Sequence, residues 1–241
     1  MCIMAEHFID YMNAKELTIS KKIRLMEGVY VFDLAMPETL PFIPGQFVVL
    51  MVAPKVFRSY SLVAINDTIM TLLIDVRVGG PASQFFEACE PGDTLQLIGK
   101  ALGKFTVKES DRPKVFIATG TGLAPFVPMV KQLLDQDAQA DVQLFFGSRH
   151  MKDAYCDSFF EGYIDAEKHP NFKVFNCISR PEGEMKENYY DGRVTNVIPA
   201  QLEECGSQDF YLCGNPQMVD DIQAILKEKG ATDNVHTEKY G

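Results

Sequence analysis

Two hydrophobic periods divide the chain. Up to about residue 110, apolar residues alternate with polar ones in short runs, the period of strands with one buried face. The runs fall at 16–24, 29–34, 47–52, 57–65, 70–78 and 95–98, with turns at Pro44-Gly45 and Pro91-Gly92-Asp93 and one short helix at 83–89. Short strands rich in Val, Ile and Phe, punctuated by Gly and Pro, predict an antiparallel barrel or sandwich. After Asp111-Arg112-Pro113 the pattern changes. Buried strand runs at 115–118, 142–146, 172–178, 210–213 and near 235 alternate with helical spacing at 125–134, around 159–164, 194–202 and 218–226. Such alternation predicts a five-stranded parallel sheet covered on both faces, with ligands at its C-terminal strand ends. The domains expected are therefore 1–112 and 113–241. The charged segment 181–188 reads as an exposed loop.

Composition narrows the function. With 33 acidic against 23 basic residues the net charge is −10, which excludes the basic footprint of a nucleic-acid binder. A local basic patch remains open: Lys21, Lys22, Arg24, Lys100 and Lys104 are its candidates, with scattered solvated lysines as the alternative. The six cysteines, at 2, 89, 156, 177, 205 and 213, show none of the close spacings of zinc or iron–sulfur sites, so no metal is expected. The N-terminus lacks the basic and apolar regions of a secretory signal, and no apolar run reaches membrane-spanning length. These features predict a cytoplasmic protein without a membrane partner; a monomer is expected, though no sequence feature fixes the oligomeric state.

Four short segments carry candidate chemistry. Arg58-Ser59-Tyr60-Ser61-Leu62 lies on a predicted strand, whose alternation sets Arg58, Tyr60 and Leu62 against Ser59 and Ser61. Gly79-Gly80-Pro81-Ala82-Ser83 opens a helix whose free N–H groups attract an anion; an ordinary helix start with a serine cap is the alternative. Thr119-Gly120-Thr121-Gly122-Leu123-Ala124-Pro125 joins a buried strand to a helix, where a glycine turn cradles a pyrophosphate. It departs from the G-x-G-x-x-G fingerprint at Pro125. Cys213-Gly214-Asn215-Pro216 ends a strand; a lone Cys there is more often a core thiol.

In this order, and with the tail Glu238-Lys239-Tyr240, the motifs resemble those of the ferredoxin–NADP+ reductase superfamily, and the resemblance covers nearly the whole chain. It implies an antiparallel flavin-binding β-barrel followed by an NADP-binding α/β domain, with FAD and NADPH as cofactors and ferredoxin or flavodoxin as electron acceptor. By the resemblance, Arg58 pairs with flavin phosphate, Tyr60 stacks on the isoalloxazine, and Ser61 hydrogen-bonds near its N5. Ser59, Ile74, Val76 and Arg77 border the flavin, and Gly80, Pro81, Ala82 and Ser83 hold its phosphate. Thr119, Gly120, Thr121, Gly122 and Pro125 take the dinucleotide pyrophosphate. Cys213 and Gly214 line the nicotinamide site, Glu238 lies near the reacting rings, and Tyr240 covers the second flavin face; the catalytic set is Ser61, Cys213, Glu238 and Tyr240. Ser148 with Arg149, Ser179 with Arg180, and Arg193 would meet the 2′-phosphate of NADPH; NADH stays the alternative, because Ser179-Arg180-Pro181 also resembles NADH-using relatives.

FMN stays the alternative to FAD, because some bacterial relatives end in an aromatic that stacks on adenine where this sequence has Gly241. Without a cysteine set for an iron–sulfur cluster, any onward carrier is a separate protein. Alternatives keeping the fold are an NAD(P)H–flavin reductase or the reductase component of an oxygenase system. A flavin-holding electron relay without productive NAD(P)H use is the alternative from another class.

Overall fold

The computed structural model describes residues 14–202 and 205–240, which form two compact units, one ending at Thr106 and the other beginning at Val107. Six strands build the first: β1 (Ala14–Met26), β2 (Val29–Ala35), β3 (Phe47–Ala53), β4 (Val56–Asn66), β5 (Ile69–Asp75) and β6 (Thr94–Leu102). They close into an antiparallel barrel in the order β1-β2-β5-β4-β3-β6, which leaves no free sheet edge. Inward residues such as Leu17, Phe32, Leu34, Val48, Leu50 and Leu72 fill it. Helix α1 (Pro81–Ala88) inserts Phe86 into the same core.

Strand alternation holds where the register is regular and fails at bulges. The β1–β2 register shifts between Ile19 and Lys21, and beyond it β1 buries no further residue. The expected strand 70–78 stops at Asp75, and Val76–Val78 forms a 3₁₀ turn. The Asp75 carboxylate accepts the Arg77 backbone N–H at 2.9 Å, and Gly79 follows with a positive φ of 84°. A local cap thus overrides the strand pattern.

The second unit is a parallel sheet of β7 (Lys114–Thr119), β8 (Val142–Ser148), β9 (Phe172–Ile178), β10 (Tyr189–Asp191), β11 (Asp209–Gly214) and β12 (Val235–Lys239). Its order is β10-β9-β8-β7-β11-β12. Five strands are those expected; β10 is a sixth, too short for periodicity to reveal. Helices α2 (Phe126–Gln136), α3 (Val194–Gln201) and α4 (Pro216–Glu228) cover the sheet. The helix expected around 159–164 is absent. Turns at Met151–Asp153 and Cys156–Phe159 stand between β8 and β9 instead, and Gly162, at φ 84°, interrupts the segment. Among the described residues, no helix is long and apolar enough to cross a membrane.

The unit begins at Val107 rather than after residue 112 because the connecting segment is bonded into it. Lys108 donates its backbone N–H to Tyr211 Oη at 2.8 Å, and Ser110 Oγ donates to the Asp209 carboxylate. Asp209 and Lys114 are both buried, with Lys114 Nζ 3.2 Å from Asp209 Oδ2 and Arg112 Nη1 3.6 Å from Oδ1. Lys114 also donates to the Ser110 and Arg112 carbonyls. These bonds clamp the N-terminal ends of β7 and β11 together. Burial opposes ionisation of Asp209, but the Ser110 hydroxyl, Lys114 and Arg112 outweigh it and hold the carboxyl below its ordinary 3.8.

At the opposite end the two strands stay paired as far as Ala118 and Cys213, and the connections beyond them part. The chain leaves β7 toward β8, β9 and β10, then returns to β11 on the other side of β7, so the topological switch point lies between β7 and β11. Two glycines make the approach there possible. A Cβ on Gly122 would lie 2.3 Å from the Cys213 carbonyl oxygen, and one on Gly214, at φ 132°, would lie 2.5 Å from Thr119 Oγ1.

Two stability effects follow. Asp209→Asn strips a buried ammonium of its counter-charge and should cost about 3–5 kcal/mol in urea unfolding at neutral pH. Because the folded-state carboxyl titrates below 3.8, its contribution is complete above that value and is lost as the pH falls through the folded-state value. The gap between wild type and variant should therefore close on acidification; a gap constant with pH would contradict the clamp. Gly122→Ala must push the Cys213 backbone aside and should cost about 1–3 kcal/mol in the same assay; an unchanged midpoint would contradict the close approach.

Candidate functional site

In the barrel, the candidate residues of β4 sit where one of its two ladders stops. The register with β5 begins at Leu62↔Leu72, whereas Ser61, Tyr60, Ser59 and Arg58 register with Phe47, Val48, Val49 and Leu50 of β3. Arg58 and Ser59 are exposed, Tyr60 is half-buried and Ser61 is buried. Simple alternation would not bury Ser61 and Leu62 together; a register shift between Leu62 and Ala64 accompanies the change. The Tyr60 ring is fixed edge-on to Phe86, with centroids 5.4 Å apart and planes at 79°. Burial pushes its phenol up to about 12, against the pull of the Arg58 guanidinium, so it stays protonated at neutral pH. Arg58 Nη1 donates to its neighbour's carbonyl, Phe57 O, at 2.8 Å.

Helix α1 begins from two glycines that only glycine can replace. Gly79 and Gly80 hold φ of 84° and 86° with ψ near 180°, a region closed to residues with a Cβ. Pro81 occupies the first helical turn, and no side chain caps the N–H groups there. The Ser83 hydroxyl, expected to face a phosphate, donates to Gly79 O at 3.0 Å and braces the turn. Arg77 forms a fork-on-fork pair with Asp75, at 2.9 Å and 2.5 Å, and its stem packs over Gly28. Ile74 and Val76, expected beside it, are buried in the barrel core.

In the second unit, Gly120, Thr121 and Gly122 form a 3₁₀ turn at the end of β7, leading through Pro125 into α2. Thr119 Oγ1 accepts the Asn215 N–H at 3.1 Å across the switch point. Asn215 Oδ1 caps α4 by accepting the Gln217 and Met218 N–H groups. Thus Gly214-Asn215 both admits the backbone of the opposite turn and starts the next helix.

Beyond β8 and β9 the two backbones stay paired. Ser179 N–H bonds Ser148 O at 3.1 Å and Arg180 N–H bonds Arg149 O at 2.8 Å, which makes the two arginines cross-strand neighbours. Gly192 N–H bonds Ile178 O and brings Arg193, at the start of α3, to the same end of the sheet. All three arginines are exposed.

Strand register assembles the remaining candidates. Cys213 is opposite Glu238 and Gly214 opposite Lys239 in the β11–β12 ladder, and the Tyr240 N–H continues it by bonding Gly214 O at 3.0 Å. Cys213 is fully buried. Burial first, then the Glu238 carboxylate, push its thiol far above the ordinary value, while a hydrogen bond from the Tyr240 hydroxyl works in the opposite direction. Cys213 is therefore a neutral thiol at physiological pH, unsuited to nucleophilic attack. Lys239 Nζ anchors the end of β12 to Asp220 at 2.6 Å.

Two residues that matter locally were not among the sequence candidates for the site. Phe86 holds Tyr60, and Lys22, counted only with a basic patch, is half-buried against α1. Phe86 was legible as an apolar helix position, but nothing in the pattern names the ring it meets.

Comparison with known proteins matches both units. The family model of the oxidoreductase FAD-binding domain matches residues 16–106, and that of the oxidoreductase NAD-binding domain residues 116–224. The toluate 1,2-dioxygenase electron transfer component of Pseudomonas putida is 32% identical over 205 residues, covering 83% of this chain and 59% of that protein. The anthranilate 1,2-dioxygenase electron transfer component of Acinetobacter baylyi is 31% identical over 208 residues, with the same coverages of 83% and 59%. This chain thus spans about three-fifths of the curated relatives it matches. Among solved structures, a cytochrome P450 reductase of Amycolatopsis superposes with a TM-score of 0.83 at 26% identity, covering 94% of this chain and 69% of that one. A ferredoxin NADP+ reductase of Neisseria gonorrhoeae with bound FAD and NADP shares the fold at a TM-score of 0.79 and 22% identity, covering 94% and 98%. With an FAD-binding barrel preceding an NAD-binding parallel sheet, the chain belongs to the ferredoxin–NADP+ reductase superfamily.

Proposed function

We propose that the chain is a flavin-dependent reductase that takes hydride from NADPH and passes electrons to a separate ferredoxin- or flavodoxin-type carrier. The observation that carries this reading is one chain joining an FAD-binding barrel to a sheet whose switch-point end gathers Cys213, Glu238 and Tyr240.

The barrel residues fit a flavin nucleotide. Gly79 and Gly80 leave open space where side chains would stand, and the uncapped first turn of α1 offers N–H groups to a phosphate. Arg58 is exposed and supplies a planar fork of donors for the same anion. Tyr60, held at its edge by Phe86, keeps a flat apolar face for the ring, and Ser61 places a hydroxyl next to it in sequence. The Asp75–Arg77 pair closes the end of β5 rather than contributing a free guanidinium. Bound there, FAD supplies the two-electron centre that takes up hydride and releases electrons singly.

The second unit binds and orients the nucleotide. The turn at Gly120–Gly122 takes the pyrophosphate, with open space at Gly120 and with Gly122 packed against the Cys213 backbone. Cys213 excludes water as a neutral thiol beside the nicotinamide, Glu238 sets the charge there, and Tyr240 lends an aromatic face. Arg149, Arg180 and Arg193 favour NADPH, because a 2′-phosphate dianion needs cationic forks that a 2′-hydroxyl does not.

A second reading has the same chemistry serving an oxygenase system. The names of the relatives favour it, since both are electron transfer components of dioxygenases.

Anaerobic rapid mixing of the desalted protein with each nucleotide tests the hydride path. Loss of the flavin's visible absorbance should be fast with NADPH and much slower with NADH. Absence of bound flavin, or no bleaching by either nucleotide, would overturn the reading. Arg180→Ala should weaken NADPH binding by about 1.5–3 kcal/mol, roughly 10- to 100-fold, with NADH nearly unaffected. Equal losses for both nucleotides would remove Arg180 from the 2′-phosphate site.

A further inference from the structure

Helix α1 has eight residues, and two turns are too few to be stable alone. Its N-terminal end is uncapped by any side chain. Its C-terminal end is held from outside the helix: Lys22 Nζ, reaching across from β1, donates to Glu87 O at 2.7 Å and to Cys89 O at 2.9 Å. An ammonium group here satisfies carbonyls that the helix leaves without partners, and it complements the negative end of the helix dipole. The same ammonium sits 5.0 Å from the centroid of the Tyr30 ring and 6.0 Å from that of Phe32. Phe32 packs on Phe86 with centroids 5.0 Å apart, and Phe86 meets Tyr60.

Lys22 is thus not a free member of a basic patch. It ties the far end of α1 to the β1–β2 wall. In so short a helix, the position of that end sets the direction of the N-terminal N–H groups and the placement of Phe86. We propose that Lys22 is a positioning residue for the flavin site, acting through α1 on both the phosphate cradle and the Tyr60 ring. This rests on the flavin reading given above.

The test uses the full chain, stripped of flavin and titrated with FAD. Lys22→Met keeps the aliphatic stem and removes the donors; Lys22→Arg retains donors; Lys21→Met is the control, an exposed lysine one residue away. Lys22→Met should bind FAD about tenfold more weakly, and the bound flavin should show less fluorescence quenching as Tyr60 loses its fixed place. Lys22→Arg should recover affinity and quenching, and Lys21→Met should match wild type. Lys22→Leu, which also lacks donors, replaces Lys22→Met if the latter does not fold, with the same expectation. A folded variant that melts earlier yet binds FAD with unchanged affinity and quenching would overturn the inference, as would equal losses in Lys22→Met and Lys22→Arg. A wild-type chain that binds no FAD would instead overturn the flavin reading.

Discussion

The second unit depends on how closely two backbones can pass. β7 and β11 are neighbours along their length, and the turn after β7 must cross over the end of β11 without a side chain on either glycine at the crossing. Gly122 and Gly214 meet this requirement from opposite sides, each facing the other strand's main chain. Thr119 then bridges the crossing through its hydroxyl, and Asn215 starts the following helix at once. The clamp of Asp209, Lys114, Arg112 and Ser110 holds the same strand pair at the other end. One pair of strands is therefore pinned by charge at its base and by steric fit at its tip.

Much of this was readable from the sequence because it is local. The shift from a two-residue to a helical period marks the change from barrel to parallel sheet, and glycines between a strand and a helix mark the switch point. The fold class follows from those signals, and the family resemblance from the ordered motifs at 58–62, 80–83, 120–125, 213–216 and 238–240. What escaped depended on contacts between distant residues or on short-range caps. β10 is three residues long, and its pairing with β9 comes from register rather than pattern. The expected helix around 159–164 has helical spacing but carries Gly162 at a positive φ, and the buried Tyr155, Cys156 and Phe160 are held by short turns. At 76–78 one carboxylate, Asp75, outweighed the apolar alternation.

The site shows the same division. The motif around Arg58 and Tyr60 was visible, but the ring partner Phe86 was not, nor was the engagement of Arg77 with Asp75. Lys22 looked like one charge among several on the surface. Its half-buried ammonium is instead part of the helix it touches, a distinction that charge counting cannot make. Cys213, Glu238 and Tyr240 stand more than twenty residues apart at their widest, and only the parallel register of β11 with β12 sets the thiol opposite the carboxylate.

That register has a chemical consequence for durability. Oxidants attack sulfur chiefly as thiolate, and the Cys213 thiolate is suppressed twice, by burial and by the facing carboxylate. Peroxide oxidises a thiol mainly through its thiolate form. A sulfur kept protonated and out of solvent at that position reacts slowly with it. The same two strands that bring a carboxylate beside the thiol also keep that sulfur from ready oxidation.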